Sequence, residues 1–270
     1  MKIHSTAIID KTAELAEDVE VGPYAIVEAD VTIGPGTKLW PHAYIARWTE
    51  IGSDCQIHMG AVLGHEPMDL SFTGERSFLK VGDRNIFREY CSIHRGAKPE
   101  SSTIVGDDNY FMASSHAGHN AKIGNNVILA STSMVAGHVV VDDRVFLSAH
   151  TGIHQFCRIG RLAFISGLSA VNLDVPPYMI VGGRPAEITS LNREGLRRAG
   201  IDDASRLKLK KAFKVLYRSS HPTGDALAIL EENGASPEVR HLIDFIRGST
   251  RGVCRYVRHR RYSEPPGSTA

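Results

Sequence analysis

An aliphatic or similarly apolar residue returns at every sixth position over most of the chain, and this period constrains the fold more than any other feature. Counted in steps of six from Ile3 to Val171, 26 of 29 positions carry Ile, Leu, Val, Phe or Ala. The exceptions are Asp69, Glu75 and Pro99, which fall in two short stretches. A period of six is neither the 3.6 of an α-helix nor the 2 of a simple strand, so it predicts short strands separated by tight corners.

Small residues mostly occupy the position four after each apolar one, as at Ala25, Ala43 and Ser133. Three such units close a triangular coil of 18 residues, and stacked coils pair as parallel sheets about 4.8 Å apart around a continuous aliphatic core. We therefore expect a parallel β-helix of about ten coils over residues 1–175. The two stretches without the hexad predict insertions near 64–80 and 98–104.

The hexads end near a proline pair, Pro176-Pro177, and helical patterning follows. Apolar residues recur at helical spacing in 202–218, 223–233 and 236–247, the last of which opens with Ser-Pro-Glu, a helix-start signature. We expect a small α-helical domain over 176–258. The closing residues 259–270 are basic and then rich in Ser, Pro and Gly, which predicts a disordered tail.

Charge is divided unevenly although the whole chain carries a formal net charge of only +1. Residues 1–175 contain 14 basic and 20 acidic residues, whereas residues 176–270 contain 17 and 10. The basic part suits an acidic or phosphorylated partner, and it also fits an ordinary solvated helical surface. We expect no nucleic-acid partner.

The sequence has no basic-then-apolar leader and no apolar run near the 20 residues that span a bilayer, so we expect no membrane insertion. Its four cysteines show no paired spacing. We therefore expect reduced thiols and a cytoplasmic location.

Five of the 13 histidines fall in the later coils, where residues 18 apart share a column. That register places His119 beneath Gly137 and Gly137 beneath Gln155, with His138 and His154 one step to either side. A histidine with a pKa near neutrality can take a proton from a hydroxyl. A glycine N–H beside it could hold the oxyanion of a tetrahedral intermediate. The patch therefore predicts an acyl-transfer site.

Other interpretations of the histidines remain open. They can be solvated corner residues of a non-catalytic scaffold, or zinc ligands, as in the β-helical carbonic anhydrases, which are hydratases on this kind of scaffold. We assign no metal, because no cysteine or acidic ligand is placed to complete such a site. Cys91 and Cys157 fall at the small inward position and are expected in the core, and no GxSxG elbow is present. An enzyme nucleophile is therefore not expected.

Over nearly its whole length the sequence resembles the UDP-N-acetylglucosamine O-acyltransferases of the hexapeptide-repeat family. The resemblance is carried by IHRGAKPE (93–100), SHAGHNAKIGN (115–125), MVAGHVVVDD (134–143), GIHQFCRIG (152–160), LDVPPYMIVGG (173–183), NREGLRRAGI (192–201) and STRG (249–252). It implies a left-handed parallel β-helix with a C-terminal helical domain, assembled as a homotrimer. It also implies transfer of an (R)-3-hydroxyacyl chain from acyl carrier protein to the 3-hydroxyl of UDP-N-acetylglucosamine, the first step of lipid A biosynthesis. No cofactor is implied beyond the phosphopantetheine thioester of the carrier protein, which acts as co-substrate.

The resemblance also implies residue roles. His119 would be the general base and the Gly137 N–H would stabilise the oxyanion, while Gly167 would leave room for a long acyl chain. The remaining implied substrate-binding residues are Asp69, His116, Asn120, His138, His154 and Gln155 around the sugar and acyl chain, and Asn192, Glu194 and Arg198 in the nucleotide-binding segment.

Three departures from the family pattern bear on the acceptor. Asn120 stands where Asp is usual, Ala199 replaces a second Arg, and Ser71-Phe72 replaces Lys-Tyr. Acylation of a 3-amino UDP-sugar, which would form an amide, is therefore kept as an alternative. The related N-acyltransferase carries an extra domain before its repeats, and hexads that begin at Ile3 leave no room for one.

Overall fold

The hexads form a left-handed parallel β-helix in the computed structural model, which describes residues 2–232 and 234–257. The first 14 strands are β1 (Lys2–Ile3), β2 (Ile8–Ile9), β3 (Glu14–Leu15), β4 (Glu20–Val21), β5 (Ile26–Val27), β6 (Thr32–Ile33), β7 (Lys38–Leu39), β8 (Tyr44–Ile45), β9 (Thr49–Ile51), β10 (Gln56–Ile57), β11 (Val62–His65), β12 (Phe78–Val81), β13 (Ile86–Phe87) and β14 (Ser92–His94). The others are β15 (Ser102–Val105), β16 (Tyr110–Phe111), β17 (His116–Ala117), β18 (Lys122–Ile123), β19 (Ile128–Leu129), β20 (Met134–Val135), β21 (Val140–Val141), β22 (Phe146–Leu147), β23 (Gly152–Ile153), β24 (Arg158–Ile159), β25 (Phe164–Ile165), β26 (Ala170–Val171), β27 (Met179–Gly182) and β28 (Glu187–Leu191).

Every third strand pairs in parallel, which gives the prism three faces. Sheet 1 runs β1-β4-β7-β10-β13-β16-β19-β22-β25-β27-β28, sheet 2 runs from β2 to β26, and sheet 3 runs from β3 to β24. The ten parallel strands of sheet 1 confirm the expected number of coils. We name the corners by the sheets they join, as the 1–2, 2–3 and 3–1 corners.

One residue in almost every corner takes a left-handed backbone conformation, and these residues recur at multiples of six. Examples are Asp54, Asn120 and His138, with φ of 56°, 58° and 59°. Short polar side chains tolerate this conformation better than most others. The backbone N–H of the corner residue donates to a carbonyl one coil away, as from His138 to His119 O at 3.0 Å. The corners therefore join the coils as well as turning the chain.

The inward hexad residues form one stacked hydrophobic core, as the period predicted. The largest of them meet face to face, as Phe87 and Phe111 do at a centroid distance of 4.8 Å. The four cysteines are free and buried, and Cys91 and Cys157 lie in the core as expected.

Two buried asparagines run up the inside of one corner. Asn85 Nδ2 donates to Gly106 O at 2.8 Å, and Asn85 Oδ1 accepts from Asn109 N–H at 2.9 Å. Asn109 Oδ1 in turn accepts from Val127 N–H at 2.7 Å. Each amide therefore joins its own coil to the next one, and we call this pair the amide ladder.

Both insertions leave the prism at the 2–3 corner. Gln56 pairs with Ile86 and Ile86 with Tyr110, before the spacing returns to 18 at Tyr110–Ile128. The loops that absorb the extra residues are 66–77 and 95–101. Each adds a multiple of six, which is why the hexad phase survives them.

Buried Arg95 ties the two insertions together. Its guanidinium lies 5.3 Å from the Trp48 ring centroid and 5.4 Å from that of Phe72, and it pairs with Glu66 at 3.4 Å. Arg95 also donates to Gly64 O at 3.2 Å. The first loop is therefore held against the second one.

Sheet 1 continues past the proline pair, which the hexad pattern did not indicate. β27 pairs in parallel with β25, and β28 then pairs with β27 in antiparallel fashion. Four helices follow in the described part of the chain: α1 (Arg193–Arg198), α2 (Asp203–Arg218), α3 (Thr223–Glu232) and α4 (Pro237–Arg247). α2, α3 and α4 confirm the predicted helices, whereas α1 is too short for a periodic pattern to reveal it. The predicted disordered tail at 259–270 lies outside the described residues.

None of the helices in the described ranges is long and apolar enough to cross a bilayer.

Candidate active site

The 2–3 corner brings His119, Gly137 and Gln155 into one column, as the register predicted. His119 O accepts from His138 N–H, and Gly137 O accepts from Phe156 N–H at 3.2 Å. The imidazole lies so close to Gly137 that a Cβ there would stand 2.7 Å from His119 Nε2. Only glycine leaves room for the ring in this position.

The Gly137 N–H donates to no protein acceptor within the described part of the chain. A buried N–H without a protein partner beside a histidine has the form of an oxyanion donor. The two groups together can accept a proton from one atom of a ligand and stabilise negative charge on another.

Asn120 determines which nitrogen of His119 carries the proton. Asn120 Oδ1 accepts from Ala97 N–H at 2.9 Å and lies 3.1 Å from His119 Nδ1. The Ala97 N–H can only donate, so the oxygen of the amide must face both groups. His119 Nδ1 therefore donates its proton to Asn120, and Nε2 presents a lone pair towards Gly137. Thr103 Oγ1 fixes the backbone of this unit by accepting from Asn120 N–H at 2.7 Å.

The first insertion brings Asp69 to the same point. Asp69 Oδ2 lies 4.0 Å from His119 Nε2, while Oδ1 accepts from the N–H and hydroxyl of Ser71 at 2.9 and 2.8 Å. These hydrogen bonds, from the Ser71 backbone first, hold the pKa of Asp69 below its ordinary value. A fixed carboxylate thus faces the imidazole and can accept from a hydroxyl group.

Two further histidines, His116 and His138, lie beside His119 and Asp69 in the neutral state. The His138 ring meets His119 edge-on at 5.2 Å and stacks on Phe156 at 4.7 Å. His116 Nδ1 bonds Ser92 Oγ at 2.9 Å. Burial lowers the pKa of both His116 and His138, and the neighbouring His119 contributes in each case. The corner therefore holds imidazoles without accumulating positive charge.

A mostly apolar groove of about 680 Å³ crosses sheet 2 from this corner, which is an ordinary size for a small-molecule site. Its walls include His116, Met134, Gly152, His154, Ala170 and Pro185. The histidines provide a polar end, and the outward faces of β20, β23 and β26 provide an apolar floor. The groove is shaped for a ligand with one polar and one aliphatic part.

The remaining predicted site residues lie elsewhere on the prism. Gly167 is exposed at the 1–2 corner, where a Cβ would come within 4 Å only of Ala149 O, at 3.4 Å, and Ser148 Cβ. Asn192, Glu194 and Arg198 belong to the start and body of α1, which is attached to the 3–1 corner through a bond from Asn192 Nδ2 to Leu162 O at 2.9 Å. Within one chain these groups therefore do not contact His119.

The α1 residues have structural partners of their own. Asn192 is buried and caps α1 by accepting from Gly195 N–H at 2.9 Å, so both ends of its amide are engaged. Glu194 pairs with Arg197 and Arg198, each at 2.7 Å. Arg198 is exposed and bonds Glu194 through Nε, which leaves its terminal nitrogens facing solvent, where they can meet an anion.

Within residues 2–232 and 234–257, no group of three or more His, Cys, Asp or Glu side chains is arranged to hold a metal ion.

Two residues that contact the site, Ala97 and Phe156, escaped the sequence analysis, and Ser71 was noted there only as a departure from the family pattern. Ala97 and Ser71 lie inside the insertions, whose conformation no repeat encodes, and Phe156 stacks on His138 from the coil above. Only Phe156 left a signal, because it lies 18 residues after His138 in the same column.

Comparison with known proteins agrees with the fold. A model of bacterial transferase hexapeptide repeats matches residues 30–65, so this part of the chain has the repeat pattern of hexapeptide transferases. A second model, described as domain 2 of UDP-N-acetylglucosamine O-acyltransferase, matches residues 174–254.

Full-length relatives narrow the class to one family. An acyl-[acyl-carrier-protein]--UDP-N-acetylglucosamine O-acyltransferase from Syntrophobacter fumaroxidans is 43% identical over 258 residues, covering 94% of this chain and 100% of the relative. A UDP-N-acetylglucosamine acyltransferase structure from Bacteroides fragilis superposes with a TM-score of 0.92 at 38% identity, covering 94% of this chain and 100% of that one. Another from Francisella novicida gives 0.90 at 35%, with 94% of each chain covered. The chain belongs to the UDP-N-acetylglucosamine O-acyltransferase family.

Exchange of Asn120 tests how the tautomer of His119 is held. Asn120→Ala removes the acceptor for Nδ1–H and should lower kcat by up to about 10⁴-fold, the loss seen when the tautomer-fixing residue of a catalytic triad is exchanged. Asn120→Asp keeps both hydrogen bonds and adds a charge that stabilises the imidazolium formed during catalysis, so kcat should equal or exceed that of the wild type. Steady-state kinetics of acyl transfer measure both values.

Asp30→Ala is the matched control, because Asp30 is an exposed residue with the same left-handed conformation at the 2–3 corner of an early coil, and its N–H also donates to a threonine hydroxyl, Thr12 Oγ1. It should leave kcat unchanged. An Asn120→Ala variant that is folded and fully active would contradict the assignment.

Buried His94 should make stability depend on pH. It is 8% exposed, and burial lowers the pKa of His94 to about 4, with His116 contributing. The unfolded chain takes up a proton near pH 6.5, whereas the folded chain does not do so until about pH 4. Stability contributed by neutral His94 is therefore present above about pH 6.5 and is lost as the pH falls, by up to about 1.4 kcal/mol per pH unit.

His94→Gln should flatten this slope between pH 6.5 and 4.5 in denaturant unfolding at fixed protein concentration. His221→Gln, an exchange at an exposed histidine, should leave the slope as in the wild type. Identical slopes for wild type and His94→Gln would show that His94 does not titrate as described.

Proposed function

We propose that the protein transfers an (R)-3-hydroxyacyl chain from acyl carrier protein to the 3-hydroxyl of UDP-N-acetylglucosamine, the first step of lipid A biosynthesis, with His119 as general base. The observation that carries the mechanism is the contact of His119 Nε2 with Gly137. A lone pair on Nε2 and an unengaged N–H on Gly137 are the two groups that attack by a hydroxyl on a thioester requires.

The reaction balances without an enzyme nucleophile. His119 Nε2 takes the proton of the sugar 3-hydroxyl as its oxygen bonds to the thioester carbonyl carbon. The carbonyl oxygen becomes an oxyanion that accepts from Gly137 N–H. The C–S bond then breaks, and the phosphopantetheine sulfur leaves with the proton from the imidazolium. Asp69 and Asn120 stabilise the imidazolium between these steps.

The carrier protein is the acyl donor, and the basic face of α2 supports its attraction. Lys208, Lys210, Lys211 and Lys214 are exposed on this helix, and none forms an ion pair with a described residue. Acyl carrier proteins are acidic, so these lysines favour encounter. Four free, buried cysteines fit the reducing cytoplasm in which we place the reaction.

A cyclic homotrimer would unite the three separated groups of site residues. The outward row of sheet 1 is apolar in its later coils: Ile86, Tyr110, Ile128, Phe146 and Phe164. Sheet 2 exposes Met134 and Ala170, whereas sheet 3 presents Glu14, Glu50, Lys80 and Lys122. Sheets 1 and 2 therefore suit burial between subunits, and sheet 3 suits solvent.

If the 1–2 corners point to the axis, sheet 1 of one subunit faces sheet 2 of the next across a cleft. The 2–3 corner with His119 then shares that cleft with the neighbour's 3–1 corner, which carries Arg198. The groove on sheet 2 would then run inward as far as Ala170, and Gly167 lies in the adjoining 1–2 corner, where its missing side chain would leave space for a long acyl chain. The sugar nucleotide would lie at the outer end and the acyl chain towards the axis.

A product assay tests the reaction. The protein is incubated with UDP-N-acetylglucosamine and hydroxyacyl carrier proteins of several chain lengths, and the products are weighed by mass spectrometry. We expect a singly acylated UDP-sugar, with long chains preferred. His119→Ala should lower the rate by at least about 10²-fold, the usual contribution of a general base, without a change in melting temperature.

His4→Ala, at an exposed histidine of the first corner, is the control and should keep full activity. A 3-amino UDP-sugar added as competitor identifies the acceptor. If only the amine is acylated, the natural acceptor is a 3-amino group and not the 3-hydroxyl. Unchanged turnover by His119→Ala would remove the base assignment.

Mixed trimers test whether the site is shared. Subunits carrying His119→Ala and subunits carrying Arg198→Ala, each with a different tag, are co-expressed, and the assemblies that retain both tags are isolated. We expect little activity from either homotrimer and recovery in the mixed ones, because some clefts then combine a wild-type His119 with a wild-type Arg198. Light scattering should give three times the chain mass.

No recovery in the mixed assemblies would mean that both residues act within one subunit, and a monomeric mass would exclude the shared cleft altogether.

A further inference from the structure

Arg251, far along the chain from the β-helix, reaches the groove and touches a site residue. Its Nη2 lies 2.9 Å from His154 Nδ1, and its Nε donates to Asn172 O at 2.7 Å. His154 and Asn172 both line the groove on sheet 2. The contact joins residues 97 apart in sequence, and no step of the proposed mechanism uses it.

The segment that carries Arg251 is fixed to the last coil by buried Asp174. Asp174 Oδ1 accepts from Arg158 N–H and Oδ2 from the Ser249 hydroxyl, both at 2.8 Å. Its backbone N–H donates to Gly252 O at 2.9 Å, and its carbonyl accepts from Cys254 N–H at 2.8 Å. Arg251 therefore lies between two anchored residues, Ser249 and Gly252, which fixes the position of its guanidinium.

Two groups compete for His154 Nδ1, and they demand opposite tautomers. Gln155 O lies 3.1 Å away and would accept a proton from Nδ1, whereas Arg251 can only donate. A guanidinium remains protonated at all relevant pH values. Its N–H therefore requires a lone pair on Nδ1 and moves the imidazole proton to Nε2.

We propose that Arg251 is a positioning residue that holds His154 with its proton on Nε2, so that this exposed imidazole donates a hydrogen bond to an oxygen of the sugar nucleotide. The nature of that ligand rests on the proposed function; the tautomer does not. Without Arg251, Gln155 O selects Nδ1–H, and Nε2 becomes an acceptor that faces the substrate oxygen with a lone pair.

Long-range ¹H–¹⁵N spectra of the histidine rings test the tautomer without any turnover. The His154 signals are identified by their loss in His154→Ala. In the wild type we expect an unprotonated Nδ1 and a protonated Nε2, and Arg251→Met should exchange the two. Arg251→Lys, which still only donates, should keep the wild-type pattern. A protonated Nδ1 in the wild type would overturn the proposal, whether or not any variant folds.

Kinetics test the consequence for binding. Arg251→Met should raise KM for UDP-N-acetylglucosamine by about 10-fold or more while kcat changes less than about threefold, the pattern of lost ground-state binding. The double variant Arg251→Met/His154→Ala should be no worse than His154→Ala, since the effect passes through the imidazole. Additive losses would show that Arg251 acts independently of His154.

Two matched variants distinguish a specific effect of Arg251 on His154 from a general loosening of the segment that carries Arg251. Ser249→Ala removes one of the bonds to Asp174 without touching His154, and Arg255→Met removes an exposed positive charge from the same segment. Both should keep the wild-type KM, and an equal rise in KM for Ser249→Ala would overturn the proposal. If the wild type does not acylate the sugar nucleotide but the spectra change as described, the proposed function fails and the positioning role stands.

Discussion

The structure depends on the hydrogen bonds between successive coils, to which a left-handed residue in almost every corner contributes. An isolated hexad has a two-residue strand that could not persist alone, but stacking pairs every strand with the coils above and below. The cost of each left-handed corner residue, of the order of 1 kcal/mol, is met by the backbone bond it donates and by the aliphatic residues that the turn directs inward. Asn, Asp and His are common at these corners because they tolerate that conformation. His138 and His150 therefore suit their corner positions by backbone conformation alone, apart from any chemical role.

The repeat explains why so much of the fold and part of the site could be predicted. A fixed period with a phase that survives both insertions gives the coils, the core and the column that unites His119, Gly137 and Gln155. Prediction stopped where the repeat stopped: β27 and β28 extend sheet 1 without hexads, and α1 is only six residues long. The orientation of the Asn120 amide depends on Ala97 in an insertion, and the contact of Arg251 with His154 depends on how the last segment is anchored. Neither leaves a periodic trace.

The charge state of the histidines around the 2–3 corner depends more on their burial than on ion pairs. Several imidazoles are crowded together, and a low pKa keeps His94, His116 and His138 uncharged, so that His119 does not face a cluster of cations. Asp69, fixed as a carboxylate by Ser71, supplies negative charge on the open side. The substitution of Asn for Asp next to His119 is consistent with this arrangement, because the amide preserves the orientation of the ring while Asp69 remains available as a nearby charge.

The amide ladder has a consequence for the fidelity of folding. Coils built from near-identical hexads could pair one whole coil out of register with little loss of aliphatic packing. Asn85 and Asn109 oppose such slippage, because a displaced coil would deprive both ends of the Asn85 amide and the Asn109 Oδ1 of their partners, at a cost of roughly 1–3 kcal/mol for each lost partner. The amide ladder spans the coils between the insertion that carries Asp69 and the coil of His119. It therefore fixes the number of coils between Asp69 and His119, whose side chains must meet.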